Sequence, residues 1–314
     1  MDVDRFRLLL PAGQEEKVRE EFEDVIASEL RNPHTLSAYL YAWRNFSDWC
    51  AAAGVEPLKA RPAHIGVWIA GHKGSPRTQR QHLSAVRRLF DIYLVAGVIE
   101  RNPALRVKAP KFSDRRSRTE ILEPDEASDL LSSLEEDSLL GQRNLAIVRV
   151  MFHHAVRVGA IVRLEVRDYF LKEGYRWLVF GEKRGKVHEL AVHPKAERAL
   201  NIWLGNSELA DRLDWPLFPA FDRDRETLLR RPVSRRSLYK LMRRFAANVG
   251  IGKKIGCHSF RATAITFFRK NGGSLEDACR LANHASPVTT MLYDRTFDEA
   301  LRKEVLRVDI PRPS

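Results

Sequence analysis

Residues 257–295 read CHSFRATAITFFRKNGGSLEDACRLANHASPVTTMLYDR, and the turn residues in this stretch decide how the C-terminal part of the chain folds. Gly272 closes the first of three predicted helices, because glycine is favoured just after a helix end. Ser274 and Ser286 stand where serine caps the start of the second and third helices. Two short capped helices therefore fix the spacing of the polar residues in this stretch.

Four of these polar residues have side chains that can bind an anion, transfer a proton or act as a nucleophile. His258 and Arg261 are three residues apart, so they are expected to share one face of the first helix. His284 comes at the end of the second helix, and Tyr293 is on the third. A guanidinium binds phosphate through paired hydrogen bonds, an imidazole can transfer a proton, and a tyrosine oxygen can act as a nucleophile.

The N-terminal third of the chain is predicted to be helical. Apolar residues recur at helical spacing over residues 35–50, and another helix begins at Ser75-Pro76 and stops at Gly97. Residues 63–70 fit a short helix between these two. Together they predict a small helical domain over residues 12–107.

Two clusters of positive charge are candidates for contact with a nucleic acid. Residues 108–118, KAPKFSDRRSR, indicate an inter-domain linker that is either solvated or lies along a phosphate backbone. A helix predicted to begin at Ser234 and end at Gly250 exposes a row of cations without interleaved acids. The candidate contact residues are Arg115, Arg116, Arg118, Arg235, Arg236, Lys240, Arg243 and Arg244.

Residues 119–314 are predicted to form a second domain of mixed structure. Strand-like runs at residues 175–180 and 187–192 flank the polar turn GEKRGK and predict a β-hairpin. Further helical patterns occupy residues 124–134, 142–156 and 194–204. The expected fold class is mainly α with a small β-sheet.

Charge and cysteine content narrow the class of partner and the compartment. The chain has 53 Lys and Arg residues against 41 Asp and Glu residues, and its net charge of +12 suits a polyanionic partner. Three widely spaced cysteines argue against disulfides and zinc sites and favour a reducing compartment. Neither a signal peptide nor a bilayer-spanning stretch is visible, so a cytoplasmic protein without a membrane partner is expected.

The C-terminal pattern resembles that of the tyrosine recombinase, or phage integrase, family. The family's H-x-x-R motif, its later histidine and its tyrosine nine residues further on are matched by HSFR, RLANHAS and MLYDR. The segment AVRVGAIVRLEVRD is similar to an earlier arginine motif and indicates Arg157. The segment KRGKVHELAVHP is similar to the hairpin lysine motif and indicates Lys183, with Lys186 as the alternative. The N-terminal helices resemble the family's core-binding domain, and residues 119–314 its catalytic domain.

The resemblance implies a site-specific recombinase that cleaves and rejoins double-stranded DNA in integration, excision or resolution of mobile DNA. Tyr293 would attack a phosphodiester, giving a 3′-phosphotyrosyl link and a free 5′-hydroxyl. Because the covalent link conserves the energy of the broken bond, no ATP, metal ion or other cofactor is expected.

The other matched residues would support this attack. Arg157 and Arg261 would stabilise the negative charge that develops on the phosphate oxygens, to which His258 and His284 would donate hydrogen bonds. His258 would also help to remove the tyrosine proton. A further residue, Lys183, would protonate the departing 5′-oxygen.

Three residues depart from the family pattern. Ala160 stands where a supporting glutamate is usual, Ala262 replaces a frequent histidine or arginine, and Asn283 replaces a common glycine before His284. None of the three is among the six residues matched above.

The C-terminal tail has its own helical pattern, and the resemblance assigns it to assembly. Phe297, Leu301, Val305 and Val308 recur at helical spacing. Such a helix would pack on its own domain or, as the resemblance implies, on a neighbouring protomer. The resemblance also implies a homotetramer on paired DNA sites, with possible accessory proteins.

Two other functions use similar residues. A DNA-binding protein that kept the fold but lost catalysis would not need all six residue types. A tyrosine-type topoisomerase would share the chemistry but would need no paired DNA sites.

Overall fold

The computed structural model describes residues 15–111, 119–134, 137–181 and 187–294. The chain divides into two compact units, Met1–Asp114 and Arg115–Ser314. None of the helices in the described residues is both long and apolar enough to cross a bilayer.

The described part of the first unit consists of helices and the loops that connect them. Its α-helices are α1 Glu15–Ser28, α2 Pro33–Ala52, α3 Pro62–Ala70 and α4 Pro76–Val95. Helices α2 and α4 begin where the side chains of Asn32 and Ser75 accept a backbone hydrogen bond from the following turn. Helix α1 is an addition to the predicted helices, and it buries Phe22 and Ile26 among other apolar residues.

Aromatic side chains fill the core of this first unit. Phe46 makes edge-to-face contacts with Trp68 and Phe90, whose ring centroids lie 5.1 and 5.9 Å away. Trp43 is fully buried and its indole N–H donates to the carbonyl of Ala85 at 2.5 Å. These contacts hold α2, α3 and α4 together.

The second unit combines helices with two small sheets. Its helices are α5 Pro124–Ser132, α6 Leu139–His154, α7 Val158–Ile161, α8 Pro194–Asn206, α9 Arg235–Asn248, α10 Cys257–Lys270, α11 Leu275–Leu281 and α12 Pro287–Tyr293. Its strands are β1 Tyr169–Lys172, β2 Tyr175–Gly181, β3 Val187–Ala191, β4 Pro219–Phe221 and β5 Leu228–Pro232. One antiparallel sheet has the order β1-β2-β3, and β4 pairs with β5 in the other. The predicted fold class is confirmed, with a second sheet in addition to the expected one.

The predicted hairpin supplies the central strand, β2, and one edge strand, β3, of the larger sheet. Strands β2 and β3 pair with Leu178 opposite Leu190 and Gly181 opposite Val187. Strand β1 is an addition, joined to β2 by Glu173 and Gly174, whose φ angles are +53° and +80°. Two-residue hairpin turns need such a left-handed backbone, but glutamate is uncommon there. This turn is therefore not predicted from the sequence.

Helix α6 lies at the centre of the second unit's core and packs against α8 and α10. Its buried residues include Ile147, Val148 and Met151. The prediction that this helix extends to Val156 is wrong, because the helix ends at His154 and Ala155 is left-handed, with φ +48°. Residues 155–157, which include Arg157, therefore lie outside the helix.

Candidate active site

Arg261 is a buried arginine that joins three parts of the second unit. It lies in the second turn of α10 and is only 2% exposed. One terminal nitrogen donates to the carbonyl of Ala155, just after α6. The other donates to the carbonyl of Ala282, just after α11, at 2.5 Å. The side chain is therefore held between the ends of two helices.

Arg157 lies beside it, in the short connection between α6 and α7. It is half-buried, and its two terminal nitrogens lie 3.3 and 3.4 Å from the carbonyl oxygen of Asn283. The two arginines thus bind the consecutive carbonyls of Ala282 and Asn283. Both guanidinium groups are fixed at the backbone that leads directly into His284.

His284 is buried next to these two positive charges and touches the residues of α12. Its Nδ1 lies 2.8 Å from the Oγ1 of Thr290, and its ring is stacked on that of Tyr293, with centroids 5.5 Å apart. Desolvation, followed by the charges of Arg261 and Arg157, lowers the pKa of His284 to about 3. The imidazole is therefore neutral at neutral pH and has a single N–H to donate.

Tyr293 is the last residue of α12, and contacts with α10 hold the chain at Tyr293 and at the residue after it. The hydroxyl of Thr266 donates to its carbonyl at 3.1 Å. The next residue, Asp294, forms an ion pair with Arg269 at 2.9 Å. Arg269 in turn donates to the carbonyl of Gly273 at 2.6 Å. The half-buried ring is thus placed at the end of a helix that is tied to α10.

His258 occupies the first turn of α10, at the edge of the site. Unlike the buried Arg261, it is exposed, although the two residues were expected to share one face of the helix. Desolvation, then the charges of Arg261 and Arg157, lowers the pKa of His258. The same two arginines therefore act on both histidines.

A cationic groove of about 790 Å³ opens beside His258. Arg235 and Arg236 at the start of α9 line it, together with Lys254, with Glu120 and with Lys253, which forms an ion pair with Glu126 at 2.7 Å. Cations therefore outnumber acidic side chains around the exposed histidine, which suits a bound polyanion.

Helix α9 has one apolar face and one strongly basic face. Leu238, Met242, Phe245 and Ala246 are buried against the core. The five cations predicted for this helix are all exposed, and none forms an ion pair within the part of the chain that the structure describes. They are Arg235, Arg236, Lys240, Arg243 and Arg244.

The remaining sequence-predicted residues lie outside the described residues. These are Lys183 and its alternative Lys186, and the linker residues Arg115, Arg116 and Arg118. The base of the hairpin that contains the two lysines is described. His188 on β3 hydrogen-bonds through Nε2 to the carbonyl of Leu281 at 3.1 Å, three residues before His284.

Three residues of the site region are additions to the sequence prediction. Thr290 contacts His284, His188 ties β3 to the end of α11, and the exposed ring of Tyr239 covers Gly256 at the start of α10. Of these three, only Thr290 could have been predicted from the sequence, because it lies one helical turn before Tyr293 and so on the same side of the helix. No group of three metal-ligating side chains is present within the described ranges.

Comparison with known proteins identifies relatives over most of the chain. The sequence profile of the phage integrase family matches residues 120–300. Tyrosine recombinase XerC of Thermodesulfovibrio yellowstonii is 30% identical over 267 residues, which cover 83% of this chain and 85% of that protein. Tyrosine recombinase XerC of Vibrio vulnificus is 27% identical over 299 residues, which cover 90% of this chain and 88% of that protein.

Solved structures share the fold. A XerH site-specific recombinase bound to a palindromic difH substrate, in a post-cleavage complex, has a TM-score of 0.71 at 17% identity, over 97% of this chain and 94% of that one. A lambda integrase dimer bound to a COC′ core site has a TM-score of 0.63 at 16% identity, over 95% of this chain and 98% of that one. At these identities the likeness concerns the fold.

Proposed function

The chain belongs to the phage integrase family, and on that basis we propose that it is a site-specific tyrosine recombinase that cleaves and rejoins double-stranded DNA. One observation carries the proposal for this chain's own residues. Arg157 and Arg261 bind consecutive carbonyls directly before His284, whose ring is stacked on that of Tyr293. Two guanidinium groups, an imidazole and a phenol are thereby assembled in one place, as attack on a phosphodiester requires.

The proposed reaction is a transesterification. The phenol oxygen of Tyr293 attacks the scissile phosphorus, the P–O5′ bond breaks, and a 3′-phosphotyrosyl link and a 5′-hydroxyl result. In the second half, the 5′-hydroxyl of a partner strand attacks the same phosphorus and releases the tyrosine. The number of phosphodiester-type bonds stays constant, so neither ATP nor a cofactor is needed.

Charge stabilisation falls to the two arginines and His284. Attack concentrates negative charge on the non-bridging oxygens, and guanidinium groups match these oxygens in geometry as well as charge. Backbone contacts hold Arg157 and Arg261 before the substrate binds, so little reorganisation is needed at the moment of reaction. The neutral His284 contributes its single N–H to the same oxygens.

Two proton transfers accompany the attack. His258, exposed at the rim of the site with a lowered pKa, accepts the proton of Tyr293. Lys183, in preference to Lys186, protonates the departing 5′-oxygen. The hydrogen bond between His188 and Leu281 supports a role for a lysine of this hairpin, because it joins the base of the hairpin to the segment that carries His284.

Contacts with the phosphate backbone come from exposed cations. In this proposal the basic face of α9 and the groove beside His258 hold the DNA near the scissile phosphate. Arg115, Arg116 and Arg118 contribute from the linker over residues 108–118. The helical domain over residues 12–107 is a core-binding domain that also contacts the duplex, and residues 119–314 form the catalytic domain.

Recombination needs more than one protomer. Four copies assemble on two paired DNA sites, and the tail with Phe297, Leu301, Val305 and Val308 packs on a neighbouring protomer. The setting is integration, excision or resolution of mobile DNA in the cytoplasm.

A plasmid assay separates this function from the two others that the residues suggest. A DNA duplex is first selected from a random-sequence pool by its binding to the Tyr293→Phe variant, and it is called the selected duplex below. One or two copies of it are then placed in a supercoiled plasmid. A recombinase rearranges only the plasmid with two copies. Relaxation without rearrangement would indicate a topoisomerase, and binding without any strand cleavage would indicate a non-catalytic DNA-binding protein.

A further inference from the structure

Thr290 connects the helix of Tyr293 to the ring of His284. It lies three residues before Tyr293 on α12 and is completely buried. Its Oγ1 is 2.8 Å from Nδ1 of His284. Among the residues that the structure describes, this imidazole is the only hydrogen-bond partner of the Thr290 hydroxyl.

We propose that Thr290 is a positioning residue whose hydroxyl donates to Nδ1 of His284 and thereby keeps the neutral imidazole in the tautomer with its hydrogen on Nε2. The inference rests on the proposed function, in which His284 donates a hydrogen bond to the phosphate. It adds a residue and a direction of hydrogen bonding to that role.

The direction follows from the number of hydrogens in the pair. A neutral imidazole has one N–H, so one ring nitrogen donates and the other accepts. Within the described part of the chain, Nε2 of His284 has no hydrogen-bond partner, which leaves this nitrogen for the substrate. A phosphate oxygen is an acceptor, so Nε2 must carry the hydrogen and Nδ1 must accept. The Thr290 hydroxyl is the donor that satisfies Nδ1.

The surroundings restrict His284 to this arrangement. Its backbone N–H donates to the carbonyl of Cys279 at 3.0 Å, and its own carbonyl accepts from the Cys279 thiol at 3.2 Å. One ring face is stacked on Tyr293. The backbone of His284 and one face of its ring are thus held in place. The contact with Thr290 then restricts rotation of the ring about the Cβ–Cγ bond. The same helix therefore places the nucleophile and orients the histidine.

A measurement on the protein without DNA tests the hydrogen bond itself. The ¹⁵N chemical shifts of imidazole nitrogens distinguish the two neutral tautomers, and the His284 signals are assigned by their absence in His284→Gln. We expect the Nε2–H tautomer in the wild type and in Thr290→Ser, which keeps the hydroxyl. We expect a mixture of tautomers in the nearly isosteric Thr290→Val, and wild-type signals in the control Thr289→Val on the same helix. A wild-type His284 with its hydrogen on Nδ1 would overturn the inference, whether or not any variant folds.

Single-turnover cleavage of a nicked version of the selected duplex tests the consequence. Thr290→Val should form the covalent adduct about 10- to 100-fold more slowly, the size of effect that is typical of residues that orient metal-ligating histidines. Its dissociation constant for DNA should stay unchanged, and Thr290→Ser and Thr289→Val should react at close to the wild-type rate. Equal rates in Thr290→Val and wild type would contradict the positioning role. If the wild type formed no adduct while the tautomer shifted as expected, the proposed function would fail and the hydrogen bond would stand.

Discussion

The guanidinium of Arg261 donates a hydrogen bond to the carbonyl of Ala155, a residue 106 positions earlier in the chain that has a left-handed backbone. A left-handed conformation costs an L-residue about 1–2 kcal/mol, so it needs support from the surrounding structure. The contact helps to supply that support at the residue directly after His154, where α6 ends. Arg157 follows Ala155 by two residues, so this short stretch of backbone links the buried arginine to the second arginine of the site.

Replacement of Arg261 by lysine should therefore reduce both activity and stability. An ammonium group cannot reach the carbonyls of Ala155 and Ala282 in the paired geometry of a guanidinium. We expect adduct formation on the nicked selected duplex to slow by about 10²- to 10³-fold. The free energy of unfolding in urea should fall by about 1–3 kcal/mol, because a buried carbonyl loses its donor. Arg280→Lys, at an exposed ion pair on α11, is the control and should change neither quantity.

The residue before His284 should tolerate glycine but not a β-branched residue. Asn283 has a φ of +46°, and asparagine is one of the few non-glycine residues that adopt this conformation readily. Arg157 binds the backbone carbonyl of Asn283, which every substitution keeps. Asn283→Gly should retain cleavage and change the free energy of unfolding by less than about 1 kcal/mol.

The contrasting variant is Asn283→Val, which should lower the free energy of unfolding by about 1–3 kcal/mol and slow cleavage. Both quantities are measured by urea denaturation and by single-turnover adduct formation. A valine variant as stable and as active as the glycine variant would show that the left-handed conformation is not required.

Much of this architecture is readable from local signals. Asn32, Ser75, Ser234, Ser274 and Ser286 each accept a backbone hydrogen bond at the start of a helix. Capping and periodicity are properties of neighbouring residues, so the predictions for α2, α4, α9, α11 and α12 are close to the observed bounds.

The remaining features depend on contacts between distant residues. The end of α6 is linked to Arg261, and the turn before β2 accommodates Glu173 in a conformation that glutamate rarely adopts. The site shows the same division. The spacing of His258, Arg261, His284 and Tyr293 can be read from the sequence, whereas the contact between His284 and Thr290 requires the folded arrangement of α11 and α12.

The basic face of α9 should contribute to DNA binding through charge. Arg236 is exposed and lines the groove beside His258. Arg236→Gln should weaken binding to the selected duplex. The logarithm of the association constant falls as the logarithm of the salt concentration rises, and the steepness of this fall should decrease by about 0.9. The free energy of unfolding should change by no more than about 0.5 kcal/mol. Arg198→Gln, at an exposed position on α8 outside this groove, should leave the slope unchanged, and equal slopes for the two variants would argue against a role for the groove.

Burial of a neutral His284 should make the stability depend on pH in a defined direction. The pKa of His284 is about 3 in the folded protein, well below the ordinary value of 6.5. Between these values the unfolded chain binds a proton that the folded chain does not, so stability falls as the pH decreases. His284 alone should contribute a slope of about 1.4 kcal/mol per pH unit near pH 5.

The variant His284→Gln should remove this contribution. Urea denaturation at several pH values between 4 and 8 measures the slope, with Thr289→Val as the control that keeps the histidine. An unchanged slope in His284→Gln would mean that the histidine is not buried in its neutral form.

The site of covalent attachment to DNA tests directly whether Tyr293 is the nucleophile. Wild-type protein is incubated with a nicked version of the selected duplex, which prevents religation after cleavage, and the adduct is digested and mapped by mass spectrometry. We expect a peptide linked through the phenol oxygen of Tyr293 to the 3′-phosphate of the cleaved strand, and no adduct from Tyr293→Phe. An adduct on any other residue, or one that persists in Tyr293→Phe, would contradict this role of Tyr293.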